Sequence, residues 1–450
     1  MRARFAAFVL GVLLLPLAAQ ADETRTNARQ SPEWLRDGLI YEVFPRAFSA
    51  QGNFAGVTAQ LDRLQNLGVN IIWLMPIHPI GKEKAKGTLG SPYAVRDYDA
   101  VNPEYGTADD FRKLVNAAHQ RGMKVFIDVV ANHTAWDSTL MRHADWYTHG
   151  TNGQIIPPNP DWVDVADLDY SSAGLREYMK QMLVRWARDY GVDGFRCDYA
   201  AGVPRDFWES VRAELERVKP DIAMLAEADD PALLRKAFDI DYAWDFYHAT
   251  METLAGRVPA SSIHSTWERA EAAYPRGALR LRFSDNHDQM RTSGQAGLPA
   301  ALAASALMFT LDGVPLLYNG METGDTTESA APALFEHLPI AWNMIERRPE
   351  VAGYYKALAS FRRAHPALTR GAVRWLRNGD ETRVVSYVRA AAGESLVVVI
   401  NLSSQSFAGV VDSGGGAFED VTPGEHAGRK TLPAVFLGPW EFRVFRRAAS

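Results

Sequence analysis

The sequence predicts an α/β fold whose main domain is a (β/α)8 TIM barrel. Three observations lead to this prediction: short apolar runs with strand-like character alternate with helical patterns, eight such runs occur, and acidic or polar residues follow several of them. Alternating strands and helices predict a parallel sheet with right-handed crossovers, and eight units predict closure into a barrel. The predicted strands are residues 39–45, 69–76, 123–130, 192–198, 222–227, 240–244, 279–284 and 314–318.

Helical patterns fill intervals between these strands. Apolar residues recur at helical spacing over residues 107–121, 172–190, 206–218 and 299–311. Pro299 opens the last of these helices, where proline is tolerated because its missing N–H would have no partner in the first turn. We therefore assign residues 32–365 to the barrel.

Two segments depart from the alternation. Residues 134–172, after the third strand, are rich in loop residues and too long for a simple connection, so we expect a small inserted domain over the barrel mouth. From residue 366 onward, helical spacing gives way to β-type runs at 383–388, 396–401 and 440–445. We therefore predict that residues 366–450 form a C-terminal antiparallel β-sandwich domain.

Residues 1–21 have the character of a secretory signal peptide. Two arginines precede an apolar stretch over residues 5–18, and Ala-Gln-Ala at 19–21 matches the A-x-A cleavage pattern. A membrane anchor is disfavoured because the stretch is shorter than the roughly 20 residues that a spanning helix needs. We expect an exported protein, periplasmic or extracellular, with no membrane segment after cleavage.

Charge and cysteine content exclude some classes of function. The formal net charge is −6 at pH 7, and it becomes −8 without residues 1–21, which hold two arginines and no acid. Binding to nucleic acid depends on neutralising phosphates, so no nucleic-acid partner is expected. Cys197 is the only cysteine in the sequence, which excludes an intramolecular disulfide. The sequence does not indicate an oligomeric state.

Three acids and an arginine lie where predicted strands give way to loops. Arg196 and Asp198 end the fourth strand, Glu227 ends the fifth, and Asp288 follows the seventh. The carboxyl ends of the strands meet at one end of a barrel, so these side chains are expected to converge there. A pair of carboxyl groups flanking a sugar linkage is the usual apparatus of glycoside hydrolysis, so the pattern favours a carbohydrate-active enzyme.

Each of these residues also has a structural alternative. Alternate side chains of a strand share a face, so Arg196 could keep Asp198 ionised by lowering its pKa by roughly 1–3 units, or the two could form a structural ion pair. Glu227 follows an apolar run, which raises the pKa of a carboxyl group and suits a general acid. The structural alternative for Glu227 is that it caps the next helix, but Asp229 and Asp230 explain such a cap better.

Two histidines and several aromatic residues complete the set of candidates. His133 and His287 each follow an asparagine at a strand end, and a neutral imidazole can both donate to and accept from sugar hydroxyls. Either histidine could instead be structural. The aromatic residues that could be sugar platforms or packing residues are Trp136, Trp146, Trp162, Tyr199 and Trp244.

Five segments occur in a characteristic order: DVVANH at 128–133, DVADLDY at 164–170, GFRCDYA at 194–200, LAEAD around Glu227, and FSDNHD at 283–288. Together with SPYAVRDY at 91–98 and GVPLLYNGMETG at 313–324, they resemble the motifs of glycoside hydrolase family 13, the α-amylase family. The resemblance covers residues 35 to 365. It implies that Asp198 is the nucleophile, that Glu227 is first acid and then base, and that Asp288 stabilises the distorted sugar. The residues that would bind the glucosyl unit at the cleavage site are Tyr93, His133, Arg196 and His287.

The resemblance implies retaining hydrolysis of α-1,4-glucosidic bonds in starch, maltooligosaccharides or cyclodextrins. Retention requires the two reacting carboxyl groups to lie about 5 to 5.5 Å apart. Transfer to another sugar or isomerisation in the same site is the first alternative, and an amylase-like protein that binds α-glucans without catalysis is the second. A metal-dependent barrel hydrolase is disfavoured because the usual H-x-H pair after an early strand is missing.

One departure from the family pattern concerns the residues after the nucleophile. Many α-amylases carry a Lys-His pair there, which contacts the leaving sugar and contributes to a calcium site, whereas this chain has Ala201 and Gly202. Asn132 retains one position that the family uses for calcium. We expect no required cofactor and no dedicated metal ligands, and the sequence leaves calcium binding open.

Overall fold

The computed structural model describes residues 26–327, 333–391, 393–424 and 428–447. The predicted signal peptide, residues 1–21, lies outside the described residues. Eight parallel strands form a closed barrel, in which successive barrel strands pair and the first pairs with the last. They are Ile40–Val43, Ile71–Leu74, Lys124–Val130, Gly194–Asp198, Ala223–Ala226, Ile240–Tyr242, Leu279–Arg282 and Val314–Tyr318. The predicted barrel and its strands are confirmed.

Helices surround the barrel, and their ends follow from local sequence. Thr107 and Asp110 form a reciprocal capping box at the start of one helix, and Gly191 ends another with φ +73°. After the fifth strand, the connection contains only the 3-10 turn Leu233–Arg235. The principal helices are Phe54–Thr58, Leu61–Leu67, Ala108–Gln120, Ala173–Tyr190, Arg205–Val218, Trp244–Leu254, Ser261–Ala273, Thr292–Ala296, Leu298–Thr310, Met344–Arg347 and Pro349–Ala364. In the part of the chain that the structure describes, no helix has both the length and the apolar character needed to cross a bilayer.

The insertion after the third barrel strand is small. Its two short strands, His133–Ala135 and Val165–Asp167, pair antiparallel, and the 3-10 helices Thr139–Arg142 and Ala144–Trp146 lie between them in the chain. The insertion leaves the barrel at a carboxyl end of a strand, which is the end where barrel enzymes place their active sites. It therefore contributes a wall to the barrel mouth.

The C-terminal region is built from two antiparallel sheets. A short helix, Pro366–Arg370, comes first, so helical structure continues slightly past residue 366. In spatial order the larger sheet contains Ala372–Trp375, Val384–Ala391, Glu394–Asn401, Phe442–Arg447, Gly416–Asp420 and Gly428–Leu432. Phe407–Val410 and Ala434–Leu437 form the smaller sheet. Buried residues of both sheets, such as Val399 and Leu437, share one apolar cluster, which holds the two sheets together.

Candidate active site

A pocket of about 290 Å³ opens at the carboxyl ends of the barrel strands. Six of the seven predicted site residues line it, and the seventh, Arg196, lies buried beneath them. The lining residues are Lys86, Ser91, Tyr93, His133, Trp162, Asp164, Val165, Asp198, Tyr199, Glu227, His287, Asp288, Leu334 and Phe335. The structure thus brings the predicted set together in one place.

Arg196 connects the acids of the site. Its Nη1 donates to Asp198 Oδ1 at 2.9 Å and to Asp128 Oδ1 at 3.0 Å, and its Nη2 lies 2.9 Å from Glu227 Oε2. The guanidinium is fully buried, so these contacts are poorly screened by water. Because Asp198 and Glu227 contact the two ends of one planar group, their carboxyl groups are held side by side.

Burial sets the protonation of this pair. It raises the pKa of Glu227 to about 7, although Arg196 lowers it and the neighbouring Asp198 raises it further. Burial also raises the pKa of Asp198 to about 6, more than Arg196 lowers it. Arg196 thus lowers the pKa of Asp198, as expected, but the arginine is shared among three carboxylates and offsets only part of the desolvation, so the net shift is upward.

His287 lies between two acids. Its Nδ1 is 2.5 Å from Glu42 Oε1, and its Nε2 is 3.1 Å from Asp288 Oδ2. Burial alone would lower the pKa of His287, but Asp288 and Glu42 raise it well above the ordinary value. Likewise, desolvation raises the pKa of Asp288, but His287 outweighs it and holds that pKa below the usual range. The expectation of a neutral imidazole is thus wrong for His287, because its two acid neighbours favour the protonated form.

His133 behaves as the sequence suggested. Burial lowers its pKa to about 4, so its imidazole is neutral at neutral pH. Its Nε2 lies 4.0 Å from Asp198 Oδ2, which places a neutral donor beside that carboxylate.

Tyr93 contacts both His287 and Asp128. Its ring stacks on His287 with centroids 5.0 Å apart, and its hydroxyl lies 2.7 Å from His287 Nε2. The same hydroxyl donates to Asp128 Oδ2 at 3.0 Å. The ring therefore has a fixed orientation in the pocket wall.

Glu227 is not a helix cap. Its Oε2 accepts the backbone N–H of Tyr199 at 2.8 Å, which ties the end of the fifth strand to the loop of the neighbouring strand. Asp230 caps the following turn instead, accepting from the N–H of Ala232 at 2.9 Å. The capping alternative for Glu227 is thereby excluded.

Glu42 and Asp128 were not among the predicted site residues. Both are fully buried inside the barrel, Glu42 beneath His287 and Asp128 against Arg196. Burial raises the pKa of Asp128 to about 6 and also raises the pKa of Glu42. An acid inside an otherwise apolar strand was the sequence signal for each, the same signal that marked Glu227.

Two of the five candidate aromatic residues, Trp162 and Tyr199, line the pocket. Trp146 is nine-tenths buried and packs on neighbouring rings, and Trp244 packs on Phe283 with centroids 4.9 Å apart. Trp136 donates to the carbonyl of residue 163 at 2.9 Å. These three are accounted for by contacts outside the pocket.

Among the residues that the structure describes, no three His, Cys, Asp or Glu side chains are grouped so that they could hold a metal ion. The side-chain amide of Asn132 instead faces the ring of His133, with Nδ2 and Nδ1 3.4 Å apart.

A (β/α)8 barrel with carboxyl groups gathered around a buried arginine at its carboxyl end has the architecture of a glycoside hydrolase. The chain belongs to the α-amylase family of glycosidases: the family described as "Alpha amylase, catalytic domain" matches residues 24–375.

Similar proteins include enzymes with related names. The chain is 30% identical over 396 residues to the α-amylase MalA of Haloarcula japonica, a match that covers 83% of this chain and 57% of that protein. It is 25% identical to a cyclomaltodextrinase from Bacillus sp, covering 83% of this chain and 74% of that protein. Among solved structures, the maltogenic α-amylase AmyB of Thermotoga neapolitana has a TM-score of 0.86 at 32% identity, covering 92% of this chain and all of that chain. An α-amylase from Lactobacillus plantarum has a TM-score of 0.83 at 33% identity, covering 92% of this chain and 99% of that chain.

Proposed function

We propose that the protein is a retaining hydrolase of α-1,4-glucosidic bonds in maltooligosaccharides, starch or cyclodextrins. The observation that carries this proposal is the sharing of the Arg196 guanidinium by Asp198 and Glu227, at 2.9 Å on each side. It holds two carboxyl groups of the pocket lining side by side, one to attack and one to protonate, and this supports a retaining mechanism.

In the first step, Asp198 in its ionised form attacks the anomeric carbon of the bound glucosyl unit. The glycosidic C–O bond breaks, and Glu227 gives its proton to the leaving oxygen. In the second step, Glu227 takes a proton from a water molecule that attacks the same carbon and releases Asp198. Two displacements at one centre return the original α configuration.

The remaining residues serve the glucosyl unit and its developing positive charge. Asp288, held ionised by His287, is suited to stabilise the charged transition state and to bind hydroxyls of the distorted ring. His133 offers a neutral donor, Tyr93 offers an aromatic face, and Arg196 holds the two reacting carboxyl groups in place.

Asp198→Asn tests this assignment directly. The variant keeps the size of the side chain and is expected to lose at least about 10³-fold in kcat, because the nucleophile is replaced by a group that cannot form the intermediate. An unchanged melting temperature would show that the fold is intact. Substantial turnover in a clean preparation would contradict the nucleophile role.

Product analysis separates hydrolysis from transfer. Digestion of maltoheptaose and β-cyclodextrin is expected to give shorter maltooligosaccharides, with ring opening of the cyclodextrin, whereas α-1,4 cleavage of pullulan is expected to give products that keep its α-1,6 bonds. Accumulation of oligomers longer than the substrate at high maltotriose would instead assign the protein to glucan transfer.

We further propose that the chain is exported and that its activity needs no cofactor. The N-terminal pattern of residues 1–21 supports export. N-terminal sequencing of the mature protein from the native host is expected to begin at Asp22, and recovery of an uncleaved cytoplasmic form would contradict export.

A further inference from the structure

Tyr199 directly follows Asp198 and has an unusual conformation. Its φ is +40° and its ψ is +49°, in the left-handed region that non-glycine residues rarely adopt. Such conformations cost free energy and cluster at functional sites, where the surrounding structure enforces them. Here the enforced turn aims the N–H of Tyr199 at Glu227 Oε2, 2.8 Å away.

The same turn presents the tyrosine ring to the pocket. Tyr199 is 44% exposed, although its neighbours in the sequence, Asp198 and Ala200, are buried. The ring meets Trp162 of the insertion edge to face, with centroids 5.3 Å apart. The rings of Tyr199 and Trp162, from different segments, therefore form one apolar surface beside the acids.

Gly202 makes room for this ring. A Cβ at position 202 would lie 2.5 Å from Tyr199 Cε1 and 2.4 Å from Asn132 Oδ1, closer than atoms pack. The ring therefore occupies the space that any side chain at 202 would need.

The position of Tyr199 beside Glu227 indicates which of the two sugars at the cleaved bond its ring contacts. Glu227 protonates the leaving oxygen in the proposed mechanism, so the groups around its carboxyl flank the leaving sugar. Tyr93 and His287 form a separate stack around Asp288. The apolar faces of glucosyl rings suit an aromatic platform that offers a large rigid surface at little cost in conformational entropy.

We propose that Tyr199, supported by Trp162, is the aromatic platform for the glucosyl unit on the leaving side of the bond. This inference rests on the proposed function and deepens it. The platform would hold both the departing sugar in hydrolysis and an incoming acceptor sugar in transfer.

Tyr199→Asn tests the platform with two substrates. Asparagine tolerates the left-handed backbone, so the variant removes the ring while keeping the N–H that Glu227 accepts. Maltotriose places a sugar on the leaving side, whereas α-glucosyl fluoride places only a fluoride ion there. The ratio of kcat/KM for maltotriose to kcat/KM for the fluoride is expected to fall about tenfold, the scale of one lost aromatic contact.

Two further variants complete the experiment. Tyr199→Phe retains the ring and is expected to retain the wild-type ratio. Phe436→Asn, which removes a 67% exposed ring in the C-terminal region, is the matched control and should leave the ratio unchanged.

The outcomes separate this inference from the proposed function. If the wild-type protein cleaves neither substrate, the proposed function fails. If it cleaves both but Tyr199→Asn lowers them equally, the residue acts only through Glu227 or the fold, and the platform is refuted. An unchanged ratio in Tyr199→Asn refutes it as well.

Discussion

The pH dependence of kcat/KM follows from the two acids that share Arg196. Asp198 must be ionised, so activity is lost as the pH falls through its pKa of about 6. Glu227 must be protonated, so activity is lost as the pH rises through its pKa of about 7. If the two titrate independently, about 58% of the molecules are in the competent form near pH 6.5, and about 9% at pH 5 or pH 8, a roughly sixfold loss on either side.

The assay is initial-rate hydrolysis of maltotriose well below KM, where the profile reports the free protein and the substrate itself does not titrate. The alkaline limb can then be assigned with Glu227→Gln and α-glucosyl fluoride, whose leaving group needs no proton. In that pairing the alkaline limb should vanish, while the acid limb remains. An alkaline limb that persists would refute the assignment of Glu227, and a maltotriose profile that is flat from pH 5 to 8 would refute the pKa reasoning.

Three other predictions concern Glu42 beneath the site, the need for a metal, and a helix end at Gly191. Glu42→Gln removes one of the two acids that favour the charged form of His287, so kcat should fall about tenfold, equivalent to one pKa unit of lost interaction. The control is Tyr41→Phe, on the same strand, whose hydroxyl donates to Glu322 instead. This variant should leave kcat unaffected. A normal rate for Glu42→Gln would contradict a role for Glu42 in turnover, since Asp288 still contacts His287 in that variant. Prolonged treatment with a chelator should leave at least 80% or so of the activity if no metal is needed, and a loss restored by calcium would contradict this. Gly191→Ala should lower the free energy of unfolding by about 1 kcal/mol, because φ is +73° at this position. Chemical denaturation measures this change. The value of kcat/KM for maltotriose hydrolysis should not change.

The barrel and the convergence of its acids could be predicted because both follow from one-dimensional patterns. Apolar runs ending in Asp198, Glu227 or the Asp288 motif place those residues at strand ends, and a barrel brings strand ends together. Glu42 could not be assigned in the same way, because the sequence does not show which strand-borne acid lies beneath which histidine.

Protonation states and backbone strain also could not be predicted from the sequence. The pKa of Asp198 depends on how deeply its carboxyl is buried and on how many acids share Arg196, and both are properties of the folded pocket. The left-handed turn at Tyr199 could not be read either, since tyrosine has no preference for that conformation and the turn is imposed by contacts with Glu227 and the space at Gly202.

Capture of the covalent intermediate tests the account most directly. A fluorinated glucosyl fluoride that slows the second step should label the protein once, and mass spectrometry of its peptides should place the glucosyl group on Asp198. An adduct on a different side chain, or a first-formed product with inverted β configuration and no adduct at all, would contradict the mechanism.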